Sequence, residues 1–178
     1  MKKLKTGLLG AGICANTFHL PALQKLDDRF ALVAMAGANP EQNRVYAEKA
    51  GIAKQYTDYH DLMEDPEVEV IISSYPYALN EELLTAARRA GKHILMEKPI
   101  AESIEKAGRM AATDAGDLVV GVAENWLYWN VIDVIREHLD QIGTPLMVQQ
   151  YSCYSMDLES PYLRGKAWRK TAVGGMIL

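Results

Sequence analysis

The regular alternation of short apolar runs with helix-like stretches, up to about residue 124, constrains the fold most. Five runs rich in Val, Ile, Leu, Ala and Met have the length of buried strands; they lie at 4–10, 30–36, 68–74, 92–98 and 117–124. Helix-like stretches separate them, at 13–26, 40–51, 58–63, 78–91 and 104–116. Apolar strands that alternate with helices indicate a parallel sheet covered on both faces, which is the doubly wound α/β Rossmann fold.

The pattern changes after residue 124. A helix is predicted over 129–139 and a strand with one solvated face over 146–154. We therefore predict two domains. Residues 1–124 form the Rossmann domain, and residues 125–178 form the incomplete start of a second α/β domain.

Charge and composition exclude several classes of protein. The net charge is −4, whereas a nucleic-acid partner would require a basic surface. No nucleic-acid partner is therefore expected. No apolar run approaches the roughly 20 residues of a membrane span, so no membrane partner is expected. Cys14 and Cys153 form no metal-ligand spacing, and neither do the four histidines, so we predict no metal site. A cytoplasmic location is expected, although the N-terminal MKKLKTGLLGAGICA mimics a signal peptide.

A glycine-rich turn follows the first predicted strand. Gly10, Gly12 and Ala15 form the pattern GxGxxA, in which the first glycine makes a tight turn and the second lets a pyrophosphate approach the backbone. The small residue Ala15 allows close packing of helix on strand. This position between strand and helix predicts a dinucleotide site that also includes Ile13; the alternative is a tight turn without a ligand.

The end of the second predicted strand bears on the choice of cofactor. It has the sequence MAGAN and carries Gly37 and Asn39, with no carboxylate to bind the ribose hydroxyls of NAD. Without that negative charge a 2′-phosphate is tolerated, so NADP is the preferred prediction and NAD the alternative. Arg44 is the nearest arginine.

A charged turn follows the fourth predicted strand. Glu97, Lys98 and Pro99 lie where parallel strands present ligands, at their carboxyl ends. A lysine there can exchange a proton with a substrate. The alternative is an ordinary surface pair of Glu97 and Lys98 before a turn.

Four segments together resemble one family. GxGxxA, HLPAL at 19–23, AGKHILMEKPIA at 90–101 and AENWLYW at 123–129 resemble the Gfo/Idh/MocA family of NAD(P)-dependent oxidoreductases. The resemblance implies that Lys98 is catalytic, that Glu97 shapes the cofactor pocket and that the bond before Pro99 is cis. It places the loop with Tyr75 and Pro76 near the nicotinamide.

Some positions depart from the family pattern or have another expected role. Tyr77 replaces the usual asparagine and Asn80 the usual histidine of that loop. His19 is expected to be a structural residue of the first helix. Substrate contacts are expected from Asn125, Tyr128, Trp168 and Arg169.

The resemblance also implies an activity, a hydride transfer between a nicotinamide cofactor and a small molecule such as a sugar, an inositol or a related polyol or keto compound. The chain stops before the family's D-x-G-x-H segment, so we expect it to bind cofactor and to turn over poorly by itself. A homo-oligomer is expected only of a longer form. The alternatives are a non-enzymatic dinucleotide-binding module and a different Rossmann enzyme, such as a methyltransferase.

Overall fold

Six parallel strands form the sheet of the computed structural model, which describes residues 2–151. They are β1 Leu4–Leu9, β2 Phe30–Ala36, β3 Lys54–Tyr56, β4 Val70–Ser73, β5 His93–Met96 and β6 Val120–Val122. Their order across the sheet is β3-β2-β1-β4-β5-β6. The predicted doubly wound α/β fold is confirmed.

The described α-helices are six, and three of them begin at a capping side chain. They are α1 Leu20–Lys25, α2 Pro40–Ala50, α3 Tyr59–Glu64, α4 Asn80–Arg89, α5 Ile104–Ala111 and α6 Asn130–His138, and a π-helical turn, Ala15–His19, precedes α1. The side chains of Asn39, Asp58 and Ser103 accept hydrogen bonds from backbone N–H groups of the first turns of α2, α3 and α5. Gly51 ends α2 with a φ of 69°, in the left-handed region that glycine adopts without strain.

Both faces of the sheet are packed. On one face Ile71 and Ile94 pack with Leu83 and Ala87 of α4. On the other face Leu8 and Met35 belong to a cluster that contains Leu20, Leu23 and Tyr46. The Tyr46 hydroxyl donates to Ala15 O at 3.2 Å, and burial raises the pKa of Tyr46 to about 12. Each face therefore has its own apolar core, as a parallel sheet requires.

The carboxyl ends of the strands meet at one edge of the sheet. β1 pairs with β2 on one side and with β4 on the other, all in parallel. The chain winds one way from β1 to β3 and the other way from β4 to β6. A crevice forms at such a reversal, outside the carboxyl ends of the two central strands.

The chain separates into two compact units, the first reaching Ala123 and the second beginning at Glu124. The described part of the second unit contains α6 and two short 3-10 turns, Asn125–Tyr128 and Leu139–Ile142. The strand predicted over 146–154 is not found as far as residue 151, where the described residues end. An isolated strand leaves its N–H and C=O groups unpaired, and alternation in sequence does not supply the partner. Within residues 2–151 no helix has the length and apolarity needed to cross a membrane.

Candidate functional site

The glycine turn lies between the carboxyl ends of β1 and β2. Gly10 N–H donates to Ala36 O at 2.8 Å, and Gly10 has a φ of +91°. A Cβ at Gly10 would lie 2.8 Å from Ser74 Oγ and 3.2 Å from a ring carbon of Tyr75. Both conformation and space therefore require glycine at this position.

Gly12 differs from Gly10 in a way that bears on ligand binding. A Cβ added at Gly12 would meet nothing within 4 Å, and the residue is exposed. Packing therefore gives no reason for glycine here, whereas a pyrophosphate that lies against the backbone would use the open space. Ala15 is 3% exposed and packs in the core, as its place in the GxGxxA pattern predicts. The residues present thus fit a dinucleotide.

The end of β2 is shaped by a residue that sequence analysis missed. Asn43 of α2 is 2% exposed, and its Nδ2 donates to Gly37 O at 2.6 Å and to Tyr56 O at 2.9 Å. A Cβ at Gly37 would overlap the Asn43 Oδ1. The absence of a side chain at Gly37 therefore has a packing cause, independent of any cofactor.

Two residues that follow Gly37 in sequence, Asn39 and Arg44, have roles of their own. Asn39 caps α2, since its Oδ1 accepts from Glu41 N–H at 3.0 Å and Gln42 N–H at 3.1 Å. Arg44 pairs with Glu41 and Glu48 at 2.6 and 2.7 Å. The guanidinium group of Arg44, the arginine nearest to the end of β2 in sequence, is therefore already paired with two carboxylates.

The loop after β4 meets the glycine turn directly. Ser74 accounts for this contact, because its backbone N–H and its hydroxyl both donate to Leu9 O, at 2.8 and 2.9 Å. Tyr75 is half-buried, and burial, with a smaller contribution from the charge of Asp58, raises the pKa of its hydroxyl. Pro76 is exposed. The expected loop residues thus lie beside the end of β1.

The turn after β5 is fixed through its backbone by Asn80. The Lys98–Pro99 bond is cis, as the resemblance implies. Asn80 is fully buried, and its Nδ2 lies 3.0, 3.2 and 3.1 Å from the carbonyl oxygens of Glu97, Pro99 and Ile100. One amide at the start of α4 thereby fixes the shape of the turn that carries Lys98.

A second contact holds the Glu97 side chain of this turn. His19 Nε2 lies 2.7 Å from Glu97 Oε1, and the two side chains are only 14% and 18% exposed. Lys98 itself is exposed. Within the part of the chain that the structure describes, no hydrogen bond or ion pair occupies the Lys98 ammonium group. The turn thus presents a cation on a fixed backbone.

The structure brings together the predicted site residues of the first unit. Those that follow β1, β2, β4 and β5 lie at one edge of the first unit, whereas Asn125 and Tyr128 are exposed residues of the second unit. Trp168 and Arg169 lie outside the described residues. Among residues 2–151 no group of three or more His, Cys, Asp or Glu side chains could hold a metal.

Several site residues were not recognised as such from the sequence. Asn43, Ser74 and Asn80 carry contacts that no motif predicts, and His19 was expected only to shape the first helix. A buried polar residue on the apolar face of an amphipathic helix is the signal that would have indicated Asn43 and Asn80.

Comparison with known proteins agrees with this geometry. A family described as oxidoreductases with an NAD-binding Rossmann fold, GFO_IDH_MocA, matches residues 4–122. The 1,5-anhydro-D-fructose reductase of Ensifer adhaerens is 32% identical over 177 residues, 97% of this chain and 51% of that protein. The scyllo-inositol 2-dehydrogenase (NADP(+)) of Bacillus subtilis is 29% identical over 139 residues, 78% of this chain and 38% of that protein.

A solved structure shows the same fold. Levoglucosan dehydrogenase in complex with NADH superposes with a TM-score of 0.70 at 27% identity, covering 79% of this chain and 40% of that one. This chain thus spans about half the length of these relatives, or less. Because the family match covers well over half of its residues, the chain belongs to the Gfo/Idh/MocA family of oxidoreductases with an NAD-binding Rossmann fold.

Proposed function

We propose that this chain binds a nicotinamide dinucleotide at the carboxyl edge of its sheet and is the cofactor-binding half of an oxidoreductase. The observation that carries the proposal is the open space at Gly12 beside the left-handed turn at Gly10. A turn without a ligand requires Gly10 and gives no reason for Gly12. Family membership makes a dinucleotide the ligand that best fits this space.

Different residues at this edge are proposed to bind different parts of the dinucleotide. The turn at Gly10–Ala15, including Gly12 and Ile13, holds the pyrophosphate, since backbone N–H groups of such turns point at the anion. Gly37 and Asn39 lie at the adenosine ribose. Further positions hold the nicotinamide end: Tyr75, Pro76, Glu97, Lys98 and Pro99. When bound, the nicotinamide ring supplies the hydride chemistry.

Lys98 is the residue of this segment that acts on the substrate. Its exposed ammonium group can donate a hydrogen bond, and then a proton, to the oxygen of a carbonyl that is being reduced. In the reverse direction the neutral amine accepts the hydroxyl proton at Nζ. Asn80 holds the backbone of the turn, and His19 holds the neighbouring Glu97 side chain. The turn that carries the lysine therefore needs little reorganisation.

The substrate class follows from the relatives and not from a described pocket. Their names give an anhydro sugar, an inositol and levoglucosan, all of which carry several hydroxyl groups. We therefore propose a sugar, inositol or related polyol or keto compound. As further substrate contacts we propose Asn125, Tyr128, Trp168 and Arg169. The 178-residue chain by itself is proposed to bind cofactor and to turn over poorly.

NADP is the cofactor that the end of β2 favours. No carboxylate lies at Gly37, where a side chain would overlap Asn43, and the following residue, Ala38, is exposed. A 2′-phosphate therefore meets no negative side chain in this segment. Relatives with NADP(+) and with NADH in their names both exist, so titration has to decide.

The test is a fluorescence titration of the chain with NADPH and with NADH, repeated for Ala38→Asp and Ala38→Asn. We expect NADPH to bind more tightly. The added charge of Ala38→Asp should lower NADPH affinity about tenfold or more and change NADH affinity little, because like charges repel. Ala38→Asn matches the size without the charge and should preserve the preference. Tighter NADH binding by the unchanged chain would refute the choice of NADP.

A further inference from the structure

The helical segment after the glycine turn begins with a turn of π-helix, Ala15–His19, which determines the direction of the His19 side chain. Ala15, Leu20 and Leu23 are buried in one cluster, so the spacing between the first two is five residues. A regular α-helix would bring His19, four residues after Ala15, onto that face. The backbone N–H of Leu20 donates to Ala15 O instead. The extra residue places Leu20 in the core and releases His19 from it.

The released side chain meets the turn that carries Lys98. His19 Nε2 and Glu97 Oε1 are 2.7 Å apart across 78 residues of sequence. Both side chains are more than four-fifths buried, where a hydrogen bond to a carboxylate is stronger than at the surface. Within residues 2–151 no other side chain or backbone N–H donates to the Glu97 carboxylate.

The backbone of the turn does not depend on this contact. Asn80 already fixes it through the carbonyl groups of Glu97, Pro99 and Ile100. What His19 adds is the direction of the Glu97 side chain. Glu97 and Lys98 are neighbours in sequence with opposite charges, and a Glu97 carboxylate without its partner is free to turn toward the Lys98 ammonium group.

We propose that His19 is a positioning residue that acts through Glu97. It holds the carboxylate away from Lys98 and so leaves the ammonium group available to a ligand. The π-turn is the backbone feature that makes this possible, and π-turns inside α-helices occur frequently at functional sites. The inference gives a reason for the role proposed for Lys98 and rests on that role, but the contact is testable in the chain without any cofactor.

The test measures how fast Lys98 reacts with an amine-directed reagent at fixed pH, followed by mass spectrometry of its peptide. An ion pair slows such labelling. We expect His19→Leu to slow labelling of Lys98 about two- to fivefold, the range of a weak surface ion pair. The exposed Lys3, read in the same sample, should be unchanged. His19→Gln keeps a donor for Glu97 and should label at the original rate.

Two further variants complete the design. Glu97→Gln in the His19→Leu background removes the competing charge and should restore labelling of Lys98. His19→Phe fills the histidine volume without a donor and should slow labelling as His19→Leu does, which covers the case that the leucine variant fails to fold. Equal Lys98 labelling in folded His19→Phe and unchanged chain would overturn the inference. Failure of NADPH and NADH to bind would instead count against the proposed function and leave this result intact.

Discussion

At the scale of single residues, Gly10 and Gly12 differ in their surroundings, so that substitution of Gly10 tests the stability of the fold and substitution of Gly12 tests ligand binding. Gly10 combines a φ of +91° with a Cβ position that lies 2.8 Å from Ser74 Oγ. A Cβ added at Gly12 would meet no atom within 4 Å, and the same holds for Gly108 of α5. The same substitution to alanine therefore tests backbone strain at one position and ligand approach at another.

The first prediction concerns Gly10→Ala. The left-handed conformation costs a non-glycine residue about 1–2 kcal/mol, and the contact with Ser74 adds to this. We expect a clearly lower free energy of unfolding in urea. Gly108→Ala is the matched control in a helix, where alanine is favoured over glycine by about 0.5–1 kcal/mol. Equal stability of the two variants would show that an alanine at position 10 is not strained as predicted.

The sequence predicts the glycine positions but not their polar neighbours. Gly10 and Gly12 belong to a local pattern whose geometry is fixed within six residues of chain. Asn80 bonds to carbonyl groups 17 to 20 residues away, and His19 to a carboxylate 78 residues away. Such partners depend on how strands are ordered in the sheet, which no local pattern contains.

At the scale of elements, Asp65 joins α3 to the edge of the sheet. Its side chain is 2% exposed and accepts hydrogen bonds from Lys54 Nζ at 3.0 Å, Tyr56 Oη at 3.1 Å and Glu67 N–H at 2.9 Å. Burial alone works to raise the pKa of Asp65, but these hydrogen bonds and the charge of Lys54 outweigh it and hold the pKa below its usual range.

The second prediction is the pH dependence of this contact. A carboxylate whose pKa is lower in the folded chain stabilises it above the unfolded value, and the contribution is lost as the pH falls through the folded value. We expect Asp65→Asn to lower the free energy of unfolding by about 1–3 kcal/mol at pH 7. The difference from the unchanged chain should shrink below about pH 4.

The control for this prediction is Asp28→Asn, because the Asp28 side chain is 72% exposed. Urea unfolding at several pH values should show almost no effect of that change. A destabilisation by Asp65→Asn that stays constant from pH 7 to pH 3 would contradict the electrostatic account and leave only a packing role for Asp65.

Strands and helices were predictable from the sequence where their apolar residues form a continuous run or recur at helical spacing. β2 was predicted over 30–36 and lies at Phe30–Ala36, since apolar residues fill all seven positions. β3 was missed because it has three residues, two of them exposed and polar, and its strand character depends on pairing with β2. The strand predicted over 146–154 is not found at 146–151, and residues 152–154 lie outside the described part of the chain.

At the scale of the whole molecule, the two units differ in how they bury apolar groups. The first has a core on each face of its sheet. In the second, α6 carries Val131, Val134 and Ile135 at helical spacing, and they are 51%, 54% and 50% exposed. Apolar surface of this kind on a folded chain favours association.

The third prediction is that the chain self-associates through α6, which revises the sequence-based expectation that only a longer form would form a homo-oligomer. Sedimentation velocity over a range of concentrations should show species larger than the monomer. Replacing Val131, Val134 and Ile135 together with glutamine should shift the population toward monomer. The matched control on the polar positions of the same helix is the triple glutamine change at Asp133, Arg136 and Glu137, which should leave association unchanged. A monomer at every concentration would be the contrary result.

The parallel, doubly wound sheet was predicted at this scale, whereas the order of its strands was not. Right-handed crossovers between parallel strands, with a reversal after the first three, leave few alternatives to the observed order. The surroundings of Lys98 were not predictable in the same way. They depend on Asn80 and His19, which reach the turn from two different helical segments.

The measurement that tests the central claim most directly is a titration of the unchanged chain and of Gly12→Ala with NADPH, together with thermal unfolding of both. The added methyl group meets no protein atom within 4 Å, so the melting temperature should stay the same. A pyrophosphate against the backbone would be displaced, so the affinity should fall about tenfold or more. Equal affinity in the two proteins, or no saturable binding by the unchanged chain, would contradict a dinucleotide site at this turn.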